Sequence, residues 1–132
     1  MNGIYVLIIQ LNETQSIKIG ALGELTFPKG IYAYIGSAQN NLELRVKRHQ
    51  RKAKRLFWHI DYLLNNPEAK IKKILIKESD KTEECKIADM LKLRAKSIAR
   101  FGSSDCRCES HLFIDSQFDF LQTEMKKLEL EE

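Results

Sequence analysis

Arg45 and His49, near the strand tyrosines Tyr5 and Tyr34, could serve cleavage of a phosphodiester, and Glu84 is a carboxylate where an apolar residue is expected. Arg45 and His49 lie four residues apart in a segment of helical character, so they share one face. A guanidinium offers phosphate oxygens a planar, permanently charged fork. An imidazole, with an intrinsic pKa of about 6.5, suits a proton relay. Tyr5 and Tyr34 fall in apolar segments that read as strands; a phenol with a free pKa of about 10 acts as a base only where nearby cations lower it. Glu84 opens the series Glu84, Ile87, Ala88, Leu91 and Ala95, which is one helix face. A carboxylate on a face that turns inward is costly unless something cationic meets it. Glu83, three residues after Asp80, reads instead as the closing member of a capping box.

The elements that must position these groups follow from the pattern of the chain. Gly3 to Leu11 is apolar and β-branched, a buried strand. Ser16–Ile19 and Glu24–Phe27 read as shorter strands about a Gly20-Ala21-Leu22-Gly23 turn, and Ile31–Ile35 as another after Pro28-Lys29-Gly30. Asn40 or Asn41 caps a helix expected to run to about Lys54, held to the sheet by Leu42 and Val46. Phe57–Leu64 predicts a second helix, with Phe57, Ile60 and Leu64 on one side, ending at Asn65-Asn66-Pro67. Ile71–Ile76 predicts a strand, Lys81 to Ala95 a third helix, His111–Ile114 a last strand, and Gln117 to Leu130 an amphipathic, acidic C-terminal helix. The order is α+β: a small, mostly antiparallel sheet flanked by helices, in one domain over residues 1–132.

Charge distribution adds a partner. The net charge is +4, yet Arg45, Lys47, Arg48, Arg51, Lys52, Lys54 and Arg55 crowd into one stretch without an acid. Such a block suits a phosphate-rich surface, and a solvated helix face explains it equally well. No apolar run approaches the roughly 20 residues that span a bilayer, and no signal-peptide pattern opens the chain, so a cytoplasmic location is expected. Three cysteines leave one thiol over in any pairing, which argues against a disulfide framework. Cys85, Cys106, Cys108 and His111 could together supply a zinc ion, but Cys-x-Cys-x-x-His is tighter than finger knuckles. Buried thiols and a hydrogen-bonded histidine are the preferred reading. His59, beside Trp58 and Asp61, reads as an oriented structural histidine in preference to a ligand, with a supporting role for the His59/Asp61 pair behind the site left open.

Gly3-Ile4-Tyr5 and Tyr34-Ile35-Gly36, followed by Ser37-Ala38 and by Arg45 nine positions after Gly36, resemble the GIY-YIG nuclease superfamily. That superfamily includes homing endonucleases and the incision subunit of bacterial nucleotide-excision repair. Trp58-His59-Ile60-Asp61-Tyr62-Leu63 and Phe101-Gly102-Ser103-Ser104-Asp105-Cys106 are similar to signatures of a small archaeal-type branch, some of whose relatives are joined to endonuclease III-like glycosylases. The resemblance spans Gly3 to about Phe113. It implies a metal-dependent DNA endonuclease in repair or processing, with Tyr5, Tyr34, Arg45 and His49 catalytic and one Mg²⁺ or Mn²⁺ on Glu84. Tyr5 would serve as general base or orient the water, His49 would relay the proton, and Tyr34 would orient water or Arg45. Lys47, Arg48, Arg51, Lys52, Lys54 and Arg55 would follow the DNA backbone, and a repair glycosylase is an implied partner. The stretch between the tripeptides is longer than in better-known members, which leaves Tyr32 and Tyr34 as alternatives for the hydroxyl at the site. Ser104 and Asp105 are candidates for the polar residue that closes it. The alternative function is a non-catalytic nucleic-acid-binding or accessory module of a repair enzyme.

Overall fold

The computed structural model describes residues 2–51, 54–103, 108–115, 118–123 and 125–128. Strand β1 (Gly3–Leu11) is the axis of the molecule. Seven of its nine residues are buried, as a continuous Val/Ile/Leu run requires when both faces of a strand are covered. On one side it pairs antiparallel with β4 (Gly30–Ala38), on the other with β5 (Ala69–Glu78). A two-residue strand, β6 (Lys96–Ser97), then β7 (Leu112–Asp115) extend the sheet beyond β4, and β8 (Lys126–Leu128) extends it beyond β5. The order is β6-β7-β4-β1-β5-β8. A separate hairpin, β2 (Gln15–Lys18) with β3 (Glu24–Phe27), turns through a 3-10 segment at Gly20–Leu22.

Side-chain alternation divides the core in two. Tyr5, Leu7, Ile9, Tyr32 and Tyr34 face one layer with Leu42 and Val46 of α1 (Leu42–Gln50), Ile60 and Leu63 of α2 (His59–Leu64), and Phe101. Ile4, Val6, Ala33 and Ile35 face the other, under Ile87, Ala88 and Leu91 of α3 (Thr82–Lys92) and under Phe118 and Leu121. The α+β antiparallel architecture is the expected one. No helix among the described residues is long and apolar enough to cross a membrane.

Four local expectations are corrected. Helix α1 is capped by Asn41, whose side chain accepts from the Leu44 amide, but it stops at Gln50 instead of Lys54. The Arg/Lys run beyond it has no apolar face to pack, and Lys54 folds back to donate to the carbonyls of His49 and Arg48, 2.9 and 3.3 Å away. Helix α2 starts at His59: the Asp61 carboxylate reaches back to the amides of Phe57 and Trp58, so Phe57 lies outside the helix and is 73% exposed. At the start of α3, Asp80 accepts from the Thr82 amide, while Glu83 makes no capping box and pairs with Lys77 and Lys86 at 3.2 and 3.4 Å. The C-terminal helix is absent among the described residues. A 3-10 turn at Asp119–Thr123 buries Phe118 and Leu121, and Lys126–Leu128 then completes the edge of β5 at Ile74–Ile76. Phe118, Leu121 and Met125 have helical spacing, but an open strand edge has unpaired backbone groups that outweigh it.

Candidate active site

The two tripeptides meet because β1 and β4 pair in a register that sets Tyr5 opposite Gly36. A Cβ at Gly36 would stand 2.3 Å from Cζ and Oη of Tyr5, so the ring crosses the strand where only glycine admits it. Gly3 has the same requirement on the other side, where a Cβ would stand 2.2 Å from the carbonyl oxygen of Lys77 in β5. Gly36 is therefore a steric condition for the Tyr5 ring, and Gly3 for the close approach of β5 to β1.

Past Gly36, the Tyr5 hydroxyl lies 2.7 Å from Nε2 of His49, both side chains being buried. Leu42, Val46 and His49 form the inward stripe of α1, which drives the imidazole into the sheet. Its ring also lies 6.3 Å from Tyr34 and 5.9 Å from Trp58 by centroids. Burial, then the cation of Lys54, pushes the His49 pKa down to about 3, so the ring is neutral at physiological pH. His49 Nδ1 is buried with no hydrogen-bond partner among the described residues. Burial raises Tyr5 well above the ordinary phenol range, and the Arg45 guanidinium opposes that rise. Tyr34, one step diagonal to Tyr5 across the β1–β4 pair, is likewise raised by burial and then by the neighbouring Tyr5 and Glu84.

Tyr32 points to the same face but is engaged elsewhere: its hydroxyl donates to the Pro28 carbonyl at 2.5 Å and its ring packs on Phe27. Of the two alternatives, Tyr34 is the one beside His49. Arg45 donates from Nη1 to the Ser37 carbonyl at 3.0 Å and lies over the Trp58 ring, 4.6 Å from its centroid. Glu84 is buried in the first turn of α3, on the inward face predicted for it, and its charge raises the pKa of both tyrosines. Nδ1 of His111 is 3.9 Å from its Oε2.

The basic block divides into two roles. Lys47, Arg51 and Arg55 are exposed, and Lys47 and Arg51 line a groove along α1 with Arg45, Asn40 and Leu44. Arg48 stands differently: both of its terminal nitrogens bind Asp61 at 2.9 Å, and it also donates to the Arg55 carbonyl. Lys54 is folded onto the end of α1, as described above. Lys52, Ser104, Asp105 and Cys106 lie outside the described residues. Sequence reasoning gave Trp58 no role at the site and did not foresee the tie between Asp61 and Arg48. Asp61 is completely buried and holds α1 to α2, and Trp58 lies under both Arg45 and Arg48. The Trp-His-x-Asp spacing carried that signal. His59 is structural as expected: its Nδ1 accepts from the Gly102 amide at 2.9 Å.

A family model described as a domain of unknown function, DUF123, matches residues 4–131. The chain belongs to this family. No curated protein and no solved structure matches it. The DUF123 match covers Ile4-Tyr5, Tyr34-Ile35-Gly36, the α1 face and Glu84, so Tyr5, Tyr34, Arg45, His49 and Glu84 all lie within the family's domain.

Proposed function

We propose that this DUF123 protein is a GIY-YIG-type, divalent-metal-dependent DNA endonuclease of repair or processing. The observation that carries the reading is the 2.7 Å contact between Tyr5 and a buried neutral His49, with Arg45 and Glu84 near the same phenol. A structural tyrosine needs no such company.

The residues fit a single hard cation: Glu84 is a buried carboxylate beside two phenols, and magnesium binds through one or two carboxylates and completes its shell with water and phosphate oxygens. When bound, Mg²⁺ or Mn²⁺ supplies Lewis acidity toward the phosphate and the leaving oxygen. The remaining work belongs to the chain. Tyr5 passes its proton to Nε2 of His49 as it takes one from the attacking water, so the phenol stays neutral, the proton and its positive charge rest on the imidazole, and the hydroxide's negative charge goes to the phosphate. The depressed pKa of His49 makes it a transient proton holder, in place of the titrating base expected from its intrinsic value. Arg45 offsets negative charge on the Tyr5 oxygen and meets the phosphate, while Tyr34 orients water. Lys47, Arg51 and Arg55 follow the backbone of the DNA, contacts that position without reading sequence.

A plasmid-nicking assay with Mg²⁺ or Mn²⁺, on supercoiled and branched DNA, tests the reading. Metal-dependent cleavage that Glu84→Ala abolishes and Tyr5→Phe sharply reduces is expected; cleavage unchanged by Glu84→Ala would sink it. One observation favours a second reading. Tyr5 and Tyr34 are only 2% and 7% exposed, which suits a nucleic-acid-binding or accessory module that retains the fold without turnover. DNA binding without cleavage on any of these substrates, or recovery of a repair glycosylase in a pull-down without DNA binding, would favour it.

A further inference from the structure

Cys85, Cys108 and His111 converge from separate segments, Cys85 from the first turn of α3 and the other two from the approach to β7. One ligand atom of each lies within 4.8 Å of the others, and the two sulfurs are 2.7 Å apart. The backbone holds this approach firmly: the His111 amide donates to the Phe101 carbonyl at 2.8 Å, and the His111 carbonyl accepts from the Ile35 amide at 2.9 Å. A second tie, between Lys92 of α3 and Glu109 at 2.9 Å, joins the same loop to the same helix.

We infer that Cys85, Cys108 and His111 form a binding site for a thiophilic divalent cation, zinc above all, distinct in chemistry from the hard-cation site proposed at Glu84. Two thiolates and an imidazole are a soft donor set that selects zinc over magnesium. Three protein ligands leave one position of a tetrahedral ion for a fourth donor. With zinc–sulfur bonds of about 2.3 Å, tetrahedral sulfurs stand roughly 3.8 Å apart, so binding opens the pair by about 1 Å. Both thiols release their protons on binding, and the two thiolates balance the charge of the ion. The near-neutral result matters beside Glu84, because two uncompensated thiolates near that buried carboxylate would repel it. An ion here cross-links α3 to the strand paired with β4 and thereby fixes the turn that carries Glu84.

The test is cobalt and zinc binding by the full chain, purified under reducing conditions and stripped with a chelator. One equivalent of Co²⁺ per chain is expected, with near-ultraviolet thiolate charge-transfer and visible tetrahedral bands that zinc abolishes. Cys108→Ser and His111→Gln should each weaken binding at least tenfold, with loss of charge-transfer intensity in the first and a changed visible spectrum in the second. Glu84→Gln should keep the tetrahedral spectrum even where nicking is lost, which separates this site from the nuclease reading. Thiolate bands absent from the folded wild-type chain would overturn the inference without recourse to any variant. So would a Cys85–Cys108 disulfide in protein prepared under reducing conditions.

Discussion

Removing one oxygen, in Tyr5→Phe, leaves the ring over Gly36 and takes away only the partner of His49 Nε2. Nicking should fall by about 10²- to 10⁴-fold, the range of a lost general base, with circular dichroism unchanged. Gly36→Ala approaches the same group from the backbone: its Cβ would meet a buried ring end at 2.3 Å, so Tyr5 must move off His49. A comparable loss of cutting is expected, with roughly 1–3 kcal/mol of stability, read by urea unfolding. His49 gives a pH signature. Its pKa is about 6.5 in the unfolded chain and about 3 when folded, so between those values the unfolded state binds the extra proton. Its contribution to stability is whole above pH 6.5 and is lost as pH falls toward 3, by up to about 1.4 kcal/mol per pH unit. Chemical unfolding across that window should show the slope, and His49→Gln should flatten it.

At the scale of elements, the α1–α2 junction hangs on Asp61. Its carboxylate receives both Arg48 nitrogens and two backbone amides, all at 2.9 Å. Asp61→Ala leaves these donors without their acceptor and should cost about 3–5 kcal/mol, measured as a drop in the urea midpoint. Because α1 carries Arg45 and His49, the site should loosen with it. This junction marks the limit of what the sequence made legible. The Arg45–His49 face and the inward Glu84 stripe depend on helical periodicity, which is local, and both were readable. So were the strands that bring Tyr5 to Tyr34, since long apolar runs leave few alternatives. The register that sets Tyr5 on Gly36 is a long-range pairing. The hold of Asp61 on Arg48 also depends on where α1 stops, and a run of cations carries no apolar signal for that. The C-terminal segment misled for a related reason: the open edge of β5 decides its conformation, and that edge is not visible in residues 117–130 themselves.

Across the whole molecule, the exposed cations meet the candidate site at Arg45: Lys47 and Arg51 border the groove that also holds it, while His49 turns inward from the same helix. DNA binding should therefore weaken steeply with salt. Lys47→Glu with Arg51→Glu should reduce affinity evenly across sequences and lower the slope of log K against log salt by about 2, read by fluorescence anisotropy. Arg48 carries no such expectation, since its guanidinium is committed to Asp61. Binding of this kind would suit either a nuclease or a passive module, and turnover is what divides them. The direct measurement is plasmid nicking by wild-type and Glu84→Ala protein, side by side, in Mg²⁺ and in Mn²⁺. Nicking by the wild type that vanishes both with chelator and with Glu84→Ala is the expected result; equal nicking by the two proteins, or none by the wild type on supercoiled and branched DNA alike, would contradict a metal-dependent nuclease built on Tyr5, His49, Arg45 and Glu84.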